Sequence, residues 1–471
     1  MKKLSELYEG YPDIEIEGIK INSKDVKPGD IFVCTTGVTA DRHDFVDSAI
    51  NNGAVAIVAS KEIESSVPVV YVSDTNKELS KLCKKFYDNP DEKLELLAVT
   101  GTNGKTTVAS IIQDLIGNDI CGYQGTNGII CSKFSEKIVN TTPDADRNYM
   151  YFDRFVKAGC KYLAIEVASE GFYRHRVDDL VFSVGILTNV TEDHLNIHQT
   201  LENYVECKKQ LFKQVKEDGY SILNIDDNYF DEFKSISKGT ILTYGKKESD
   251  LKIESIDLGL KNTKITLKYK DKLYNMVSPL LGEFNVYNLC AAILTLIVKG
   301  YEMEDIISRL SNIKVPSGRC EFLNYGQNYS IILDYAHTTD AFNSLYKLLT
   351  NIKKNRLITV TGSAGGREHE KRPVMGKVVL DNSDYVIFTM DDPRNEDVNS
   401  IIDDLVSGSS KTNYERIIDR KEAIYHAFDI AEEDDIILIA GKGTDNYMAL
   451  GNEYVPYCDL DVINSYFKKD K

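Results

Sequence analysis

The segment Gly101-Thr102-Asn103-Gly104-Lys105-Thr106-Thr107 follows an apolar run, Leu94–Thr100, and precedes a stretch that reads as a helix from about Lys105. That order points to phosphate binding. Glycines let backbone amides turn toward an anion, and a helix N-terminus adds partial positive charge at the same place. Lys105 can reach the β- and γ-phosphates of a nucleotide, and the Thr106 hydroxyl can bind Mg²⁺. The strict motif asks for another glycine at position 99, where Val99 stands. The generic pattern therefore fails by one residue while its mechanically important half is whole.

Three further groups have the chemistry to join that loop. Glu166 ends the apolar run Tyr162-Leu163-Ala164-Ile165-Glu166-Val167. A buried ionised carboxylate is costly unless it is paired or bound to metal, so Glu166 is a candidate Mg²⁺ ligand; the plainer alternative is a glutamate at a strand end in solvent. His194 closes Asn189-Val190-Thr191-Glu192-Asp193-His194, after a strand at Val184–Leu187. A lone histidine is more often structural, but its place at another strand end adds it to the set. Over residues 201–215, Leu201, Tyr204, Val205, Leu211, Phe212 and Val215 recur at helical spacing. Lys208 falls in the middle of that apolar face, while Lys209 reads with Glu202, Glu206 and Lys213 on the polar side. Either Lys208 snorkels out of the stripe or it is chemically modified, and spacing leaves both open.

The elements that must hold these groups form three blocks, bounded at 1–91, 92–316 and 317–471. The first has strand-like runs Ile31–Cys34, Ala54–Ala59 and Val67–Val72, then a helix over about 75–87 and the breaker Asp88-Asn89-Pro90-Asp91. In the second, strands and helices alternate, which implies a parallel sheet with crossover helices. Residues 241–278 alternate Thr, Ile, Lys and Tyr and read as antiparallel strands, followed by a helix near 286–299. Pro316-Ser317-Gly318 marks the next boundary. The third block alternates again, with strands ending at Thr361, Thr389 and Ala440 before polar or Gly-rich loops. In doubly wound sheets ligands bind outside the carboxyl ends of strands, so those loops are where a site is expected.

The chain has 471 residues, enough for about three domains. Hydrophobic residues make up 42% and charged residues 27%, the balance of an ordinary soluble domain protein. The net charge of −17 argues against nonspecific nucleic-acid binding, yet a small anionic substrate can still find a locally basic pocket. No apolar run reaches the ~18 residues of a membrane span, and the start, MKKLSELYEGYPDIE, has no signal core. Nine cysteines without a C-x-x-C pair read as free thiols in a reducing cytosol.

A set of separated motifs, in one order along nearly the whole chain, resembles the Mur ligases and, within them, the MurE branch. GTNGKTT at 101–107 resembles the family's ATP loop, and NTTPDAD at 140–146 its NTTP segment. EVASEGFYRHRV at 166–177 and TNVTEDHLNIHQTLENYVECKKQLF at 188–212 are similar to its next two stretches. LLGEFNVYNLCAA at 280–292, SGRCEFL at 317–323, LDYAHTTDAF at 333–342, GSAGGREHEKRPVMG at 362–376, DDPRNED at 391–397 and GKGTD at 441–445 follow. NSKDVKPGDIFV at 22–33 and DRHDF at 41–45 resemble the family's first domain.

The resemblance implies three α/β domains: a UDP-binding N-terminal domain, a central P-loop ATPase with a parallel sheet plus a small antiparallel sheet, and a C-terminal Rossmann-like domain that brings an amino acid. It implies that Ser23 and His43 contact the uridine nucleotide and that Asn140, Thr141, Thr142 and Arg176 hold the muramoyl peptide. Gly101, Thr102, Asn103, Gly104, Lys105, Thr106 and Thr107, with Asn288, Arg319 and Asp334, would serve ATP. Thr106, Glu166, His194 and a CO₂-derived carbamate on Lys208 would organise Mg²⁺; the family lysine falls four residues after the tyrosine of ENY, at Lys208. Asp391, Asp392, Arg394, Gly441 and Asp445 would form the amino-acid pocket. The implied activity is an ATP-dependent, cytoplasmic, monomeric ligase that adds a diamino acid to UDP-N-acetylmuramoyl-L-alanyl-D-glutamate through an acyl phosphate, in peptidoglycan precursor synthesis. Its partners are small molecules, without nucleic acid or membrane insertion.

The chain departs from the family pattern at Ala168 and Glu170, at Asn22 and Lys24, at Arg42, and at Thr444-Asp445 in place of His-Glu. Arg394 suits the distal carboxylate of meso-diaminopimelate as a planar fork, whereas an Asp at 445 is closer to lysine-adding members. Diaminopimelate is favoured over lysine. The alternatives are a paralogue acting on another peptide or UDP-sugar, and a non-catalytic Mur-like binding subunit. Folylpolyglutamate synthases share the phosphate loop but lack counterparts of the first domain and the DDPR motif.

Overall fold

The computed structural model describes residues 2–37, 41–259, 262–314, 317–367 and 369–468, so Pro316 of the boundary read above lies outside the described residues. The first unit is a four-stranded parallel sheet of Gly18–Lys20, Asp30–Val33, Ala56–Ala59 and Val69–Tyr71, in that spatial order. Helix Thr75–Phe86 follows, its first turn capped by the Asp74 carboxylate, which accepts from the Asn76 and Lys77 amides. Its Leu79, Leu82 and Cys83 share one core with Tyr149, Phe152 and Phe155 of helix Ala145–Ala158, which docks the first unit on the second.

The second unit is an eleven-stranded sheet. Cys121–Gly125, Tyr162–Glu166, Glu95–Thr100, Phe182–Leu187, Val215–Asn224, Thr240–Gly245 and Leu251–Leu258 lie side by side and parallel. Both faces are covered, so side chains of the central strand alternate between two cores: Leu96 and Ala98 enter one, Leu97 and Val99 the other. The core of Leu97 and Val99 also takes the buried faces of helices Lys105–Ile116 and Glu283–Val298. The latter is apolar almost all round because it lies inside the unit.

Three expectations need correction here. The strand Thr240–Gly245 is parallel, and the antiparallel pairing begins only at Leu251–Leu258 against Thr263–Tyr269 and Lys272–Ser278. These strands continue the main sheet, through a two-pair contact at Tyr244–Leu251 and Gly245–Lys252. The Lys208 helix runs Leu201–Lys213 and stops before Val215, which opens the next strand opposite Phe182. Lys209 is also not on a solvated face. It is buried, held by Glu206 at 2.7 Å and by Glu232 at 2.6 Å from the following helix, because that helix covers the side that periodicity assigns to water.

The third unit is a six-stranded sheet in the order Glu321–Leu323, Ser330–Asp334, Ile436–Ala440, Leu357–Thr361, Tyr385–Phe388 and Tyr414–Arg416, parallel except for the first strand. One strand thus ends at Phe388, a residue before the expected Thr389. Ile331, Leu333, Ile358, Val360, Ile437 and Ile439 face one core, and Ile332, Leu357, Ile436 and Leu438 the other. That is a doubly wound arrangement, with helices on both faces.

Candidate active site

The parity of the strand Tyr162–Glu166 sets the site. Leu163 and Ile165 face the core shared with the first unit; Tyr162 and Ala164 face the core under helix Lys105–Ile116. Glu166 has the parity of Ala164, so it points to the side of that helix. Its Cα partner across the sheet is Val99, two residues before the glycine loop. The carboxylate is fully buried and well supplied with donors. Oε2 accepts from Thr106 Oγ1 at 2.9 Å and Thr126 Oγ1 at 3.3 Å. Oε1 accepts from the Thr126 amide at 2.9 Å and the Tyr123 hydroxyl at 2.5 Å. The end-of-strand glutamate in solvent is thereby excluded.

The two loop glycines have distinct reasons. Gly101 has φ +149°, and a Cβ there would collide with Thr188 Oγ1. Gly104 has φ +88°, and a Cβ would collide with Asn288 Oδ1 from helix Glu283–Val298. Asn288 therefore packs on the loop, with its own amide donating to Asn285 Oδ1 at 3.0 Å. The neighbouring strand end ties the loop down: the Thr102 amide donates to Asn189 O at 2.8 Å, the Asn103 amide to Asn189 Oδ1 at 3.0 Å, and Thr188 Oγ1 to Asn103 O at 2.6 Å. Thr107, the third residue of the helix, is buried.

Two lysines meet at one carbonyl. Lys105 Nζ donates to Gly101 O at 2.9 Å and to Thr102 O at 2.8 Å, and Lys208 Nζ donates to the same Gly101 O at 2.8 Å. Lys208 is 1% exposed and lies 4.3 Å from the centroid of the Tyr204 ring. It does not snorkel. Burial, then the Lys105 charge, hold the Lys208 ammonium well below the ordinary lysine range; burial also lowers Lys105. His194 has φ +54° and starts the short helix Leu195–His198. Burial pulls it down to about 4, against the Asp193 carboxylate and aided by Arg367, Lys105 and Lys208. Its ring is neutral at pH 7, as a metal ligand must be.

Among the described residues no three His, Cys, Asp or Glu side chains are gathered as a metal cage. Mg²⁺ seldom needs one, since it keeps waters and uses one or two carboxylates with substrate phosphates. Glu166 with Thr106 is such a donor set. His194 Nδ1 is buried without a hydrogen-bond partner, so it too has a free lone pair to offer. The residues present fit a divalent cation beside a bound phosphate.

The third unit closes over the loop. A cavity of about 390 Å³ is lined by Asn103, Gly104 and Asn288 on one side and Arg319, Asp334 and Asp340 on the other. Arg319 lies 4.7 Å from the Tyr335 ring centroid and reaches Thr106 Oγ1 at 3.3 Å. Asp334 braces its own loops, accepting from the Cys320 amide at 2.6 Å and the Ala336 amide at 2.7 Å. Asn103 Nδ2 also donates to Asp340 Oδ2 across the cleft at 3.3 Å.

On the other side of Glu166, Thr141 Oγ1 lies 3.1 Å from Thr126 Oγ1, and Thr142 Oγ1 donates to Glu166 O at 3.1 Å. Arg176 fastens this segment through Thr142 O at 3.0 Å and Asp144 at 2.8 Å, while Asn140 is exposed beside it. In the first unit, Ser23 is buried, and its carbonyl accepts from Asn52 at 2.9 Å. Both His43 ring nitrogens are engaged, Nδ1 with Asp41 at 2.5 Å and Nε2 accepting from the Ser60 amide at 3.1 Å. That geometry makes His43 a brace for its loop.

The last group surrounds a residue that spacing did not single out. Lys442, within GKGTD, is fully buried. Its Nζ lies 2.8 Å from Asp392, 3.6 Å from Asp445 and 3.9 Å from Asp391. Gly441 has φ +114° beside Asp391, where a Cβ would collide with the carboxylate. Arg394 has φ +52°; its amide donates to Ala449 O at 2.9 Å and its guanidinium to Gly365 O. A lysine between two glycines after a buried strand was the available signal. Tyr123, Thr126 and Asn189 were also missed, and no spacing rule would have found them.

Residues 15–96 match the family described as "Mur ligase family, catalytic domain", residues 99–296 the Mur ligase middle domain, and residues 318–443 the Mur ligase glutamate ligase domain. The chain is 38% identical over 457 residues to the UDP-N-acetylmuramoyl-L-alanyl-D-glutamate–2,6-diaminopimelate ligase of Bacillus cereus, covering 95% of this chain and 93% of that one. The same-named ligase of Fusobacterium nucleatum is 38% identical over 461 residues, covering 96% and 93%. A solved structure of a ligase of that name superposes with a TM-score of 0.69 at 28% identity, covering 100% of this chain and 99% of the other. The MurF ligase of Thermotoga maritima, solved with ADP, shares the fold at a TM-score of 0.72 and 20% identity, over 98% and 99% of the chains. A glycine loop with its lysine, a buried carboxylate and hydroxyl pair beside it, and these matches over all three units together establish that the chain belongs to the Mur ligase family of ATP-dependent amide-bond-forming enzymes.

Proposed function

We propose that this enzyme joins meso-diaminopimelate to the D-glutamate γ-carboxylate of UDP-N-acetylmuramoyl-L-alanyl-D-glutamate, converting ATP to ADP and phosphate, as a cytoplasmic monomer in peptidoglycan precursor synthesis. Among the described residues no helix is long and apolar enough to cross a membrane. The observation that carries the reading is the meeting of Lys105 and Lys208 on Gly101 O, next to Thr106 and Glu166. The choice of amino acid is supported by the names of the 36–38% identical relatives and by Arg394 beside the Asp391, Asp392 and Asp445 cluster.

A carboxylate is a poor acyl donor. Phosphorylation by ATP gives an acyl phosphate; the incoming amine adds to its carbonyl, and phosphate leaves from the tetrahedral intermediate. The protein's share is positioning and charge neutralisation. Lys105 leaves the carbonyls of Gly101 and Thr102 to meet the β- and γ-phosphates. Arg319 approaches from the third unit and adds a second cation next to Thr106. Thr106, Glu166 and His194 would hold Mg²⁺, which when bound neutralises phosphate charge. Lys208 is held toward its neutral amine, the form that can add to CO₂ with loss of a proton; the resulting carbamate would put an anionic ligand in its place.

A second reading keeps the ligase and changes the amino acid. Asp445, 3.6 Å from Lys442 Nζ and accepting from the Tyr335 hydroxyl at 3.4 Å, is a carboxylate suited to the terminal ammonium of lysine or another diamino acid. ATP-dependent phosphate release with UDP-N-acetylmuramoyl-L-alanyl-D-glutamate, run in parallel with meso-diaminopimelate, L-lysine and L-ornithine, decides. Turnover with diaminopimelate alone is expected. Turnover with lysine alone selects the second reading, and silence with all three in ATP-binding protein refutes both.

A further inference from the structure

Tyr123 lies in the strand Cys121–Gly125, two strands from the strand that leads into the glycine loop. The side chain is 1% exposed and the carboxylate it meets is fully buried. A phenol has one proton to donate. Its oxygen already accepts from the Asn127 amide at 3.1 Å. Glu166 Oε1, at 2.5 Å, is an acceptor only, so the proton must point to it. Charge-assisted O–H···O⁻ bonds of this length are among the stronger ones in proteins.

The four donors to Glu166 divide unequally. Oε1 is gripped by a backbone amide and by a ring locked in a core. Among the described residues Oε2 is met only by the hydroxyls of Thr106 and Thr126, rotors that can turn their protons away and offer lone pairs instead. We infer that Tyr123 is a positioning residue that fixes Glu166 through Oε1, so that Oε2 alone is presented, toward Thr106, to the divalent cation of the nucleotide site. The inference rests on the metal-site reading given above. Outer hydrogen bonds of this kind orient a ligand and tune its basicity, and losing one typically costs 10–100-fold in metal affinity or activity. The strand hairpin that carries Tyr123, Thr126 and Asn127 thus shapes the cation site through its hold on Glu166.

The test is Mn²⁺ binding to the ADP-saturated protein, read by the loss of the free Mn²⁺ electron paramagnetic resonance signal. Tyr123→Phe keeps the ring and removes the donor. Mn²⁺ affinity should fall about tenfold, and the fall should vanish in the Glu166→Gln background, because the phenol acts only through that carboxylate. The neutral amide also spares the protein a buried, under-bonded charge, so the double variant folds even if Tyr123→Phe alone does not. Unchanged affinity in Tyr123→Phe, or an equal fall from that change in both backgrounds, overturns the role of Tyr123. If Glu166→Gln itself leaves Mn²⁺ affinity unaltered, the assignment of Glu166 as a ligand is what fails.

Discussion

Replacing Lys442 by methionine should destabilise the third unit in a way that depends on pH. Methionine keeps the stem in its slot and removes only the charge. That charge is fully buried and faces Asp392, Asp445 and Asp391 at 2.8, 3.6 and 3.9 Å. Of the surrounding cations, Arg420 is committed to Asp459, donating from Nε at 2.8 Å and from Nη2 at 2.8 Å. Breaking a buried pair by deleting one partner costs about 3–5 kcal/mol, or a fall of about 6–20 °C in the unfolding midpoint for a unit of this size. Burial already raises the Asp391 and Asp445 carboxyls, and Lys442 acts on both to pull them down. Without it their folded-state values rise further above the unfolded ones. A group raised in this way contributes stability that is full at low pH and is lost as pH climbs through its folded value. The deficit should therefore be largest at high pH and shrink as pH falls, because a protonated carboxyl needs no cation. Thermal unfolding of both proteins at pH 5, 6.5 and 8 measures it. A deficit that is constant, or greater at pH 5, would refute the electrostatic account of this cluster.

Lys208→Ala should leave ATP binding in place but reduce ligation to near background, with partial recovery on adding short-chain carboxylic acids; full activity without additive would remove the essential role. Gly101→Ala should lower kcat at least tenfold, because the Cβ meets Thr188 Oγ1 and must break its 2.6 Å bond to Asn103 O; steady-state phosphate release reads it, and wild-type turnover would contradict the packing argument. Asp146 is buried beside Asp144, and burial followed by that neighbour raises its carboxyl to about 6. Its contribution is full below the unfolded value and lost as pH rises through about 6, so Asp146→Asn should stabilise the protein at pH 7.5 by about 3 kcal/mol, raising the unfolding midpoint there, and give no gain at pH 4; equal midpoints at pH 7.5 would count against it.

The chemistry of the nucleotide loop was legible in the residues themselves, because Gly101, Gly104, Lys105 and Thr106 act within one turn of chain and need only a strand before and a helix after. Lys208 was legible as an anomaly, a charge on an apolar helical face, but spacing left snorkelling and modification both open. The apolar runs alternating with helices also implied the parallel central sheet, whose strands are buried on both faces. What spacing could not give is anything set by a second chain segment. Lys209 is buried because Glu232 comes across from another helix. The strand Thr240–Gly245 is parallel because both of its neighbours, Val215–Asn224 and, through two pairs, Leu251–Leu258, run in its direction. Lys442 becomes a hub only when the loop of Asp391 and Asp392 is folded over it, and Tyr123 meets Glu166 because two strands 43 positions apart lie side by side. Periodicity constrains a residue against its own helix or strand; partners in tertiary structure are chosen by how whole elements pack, and that is decided by every core contact at once.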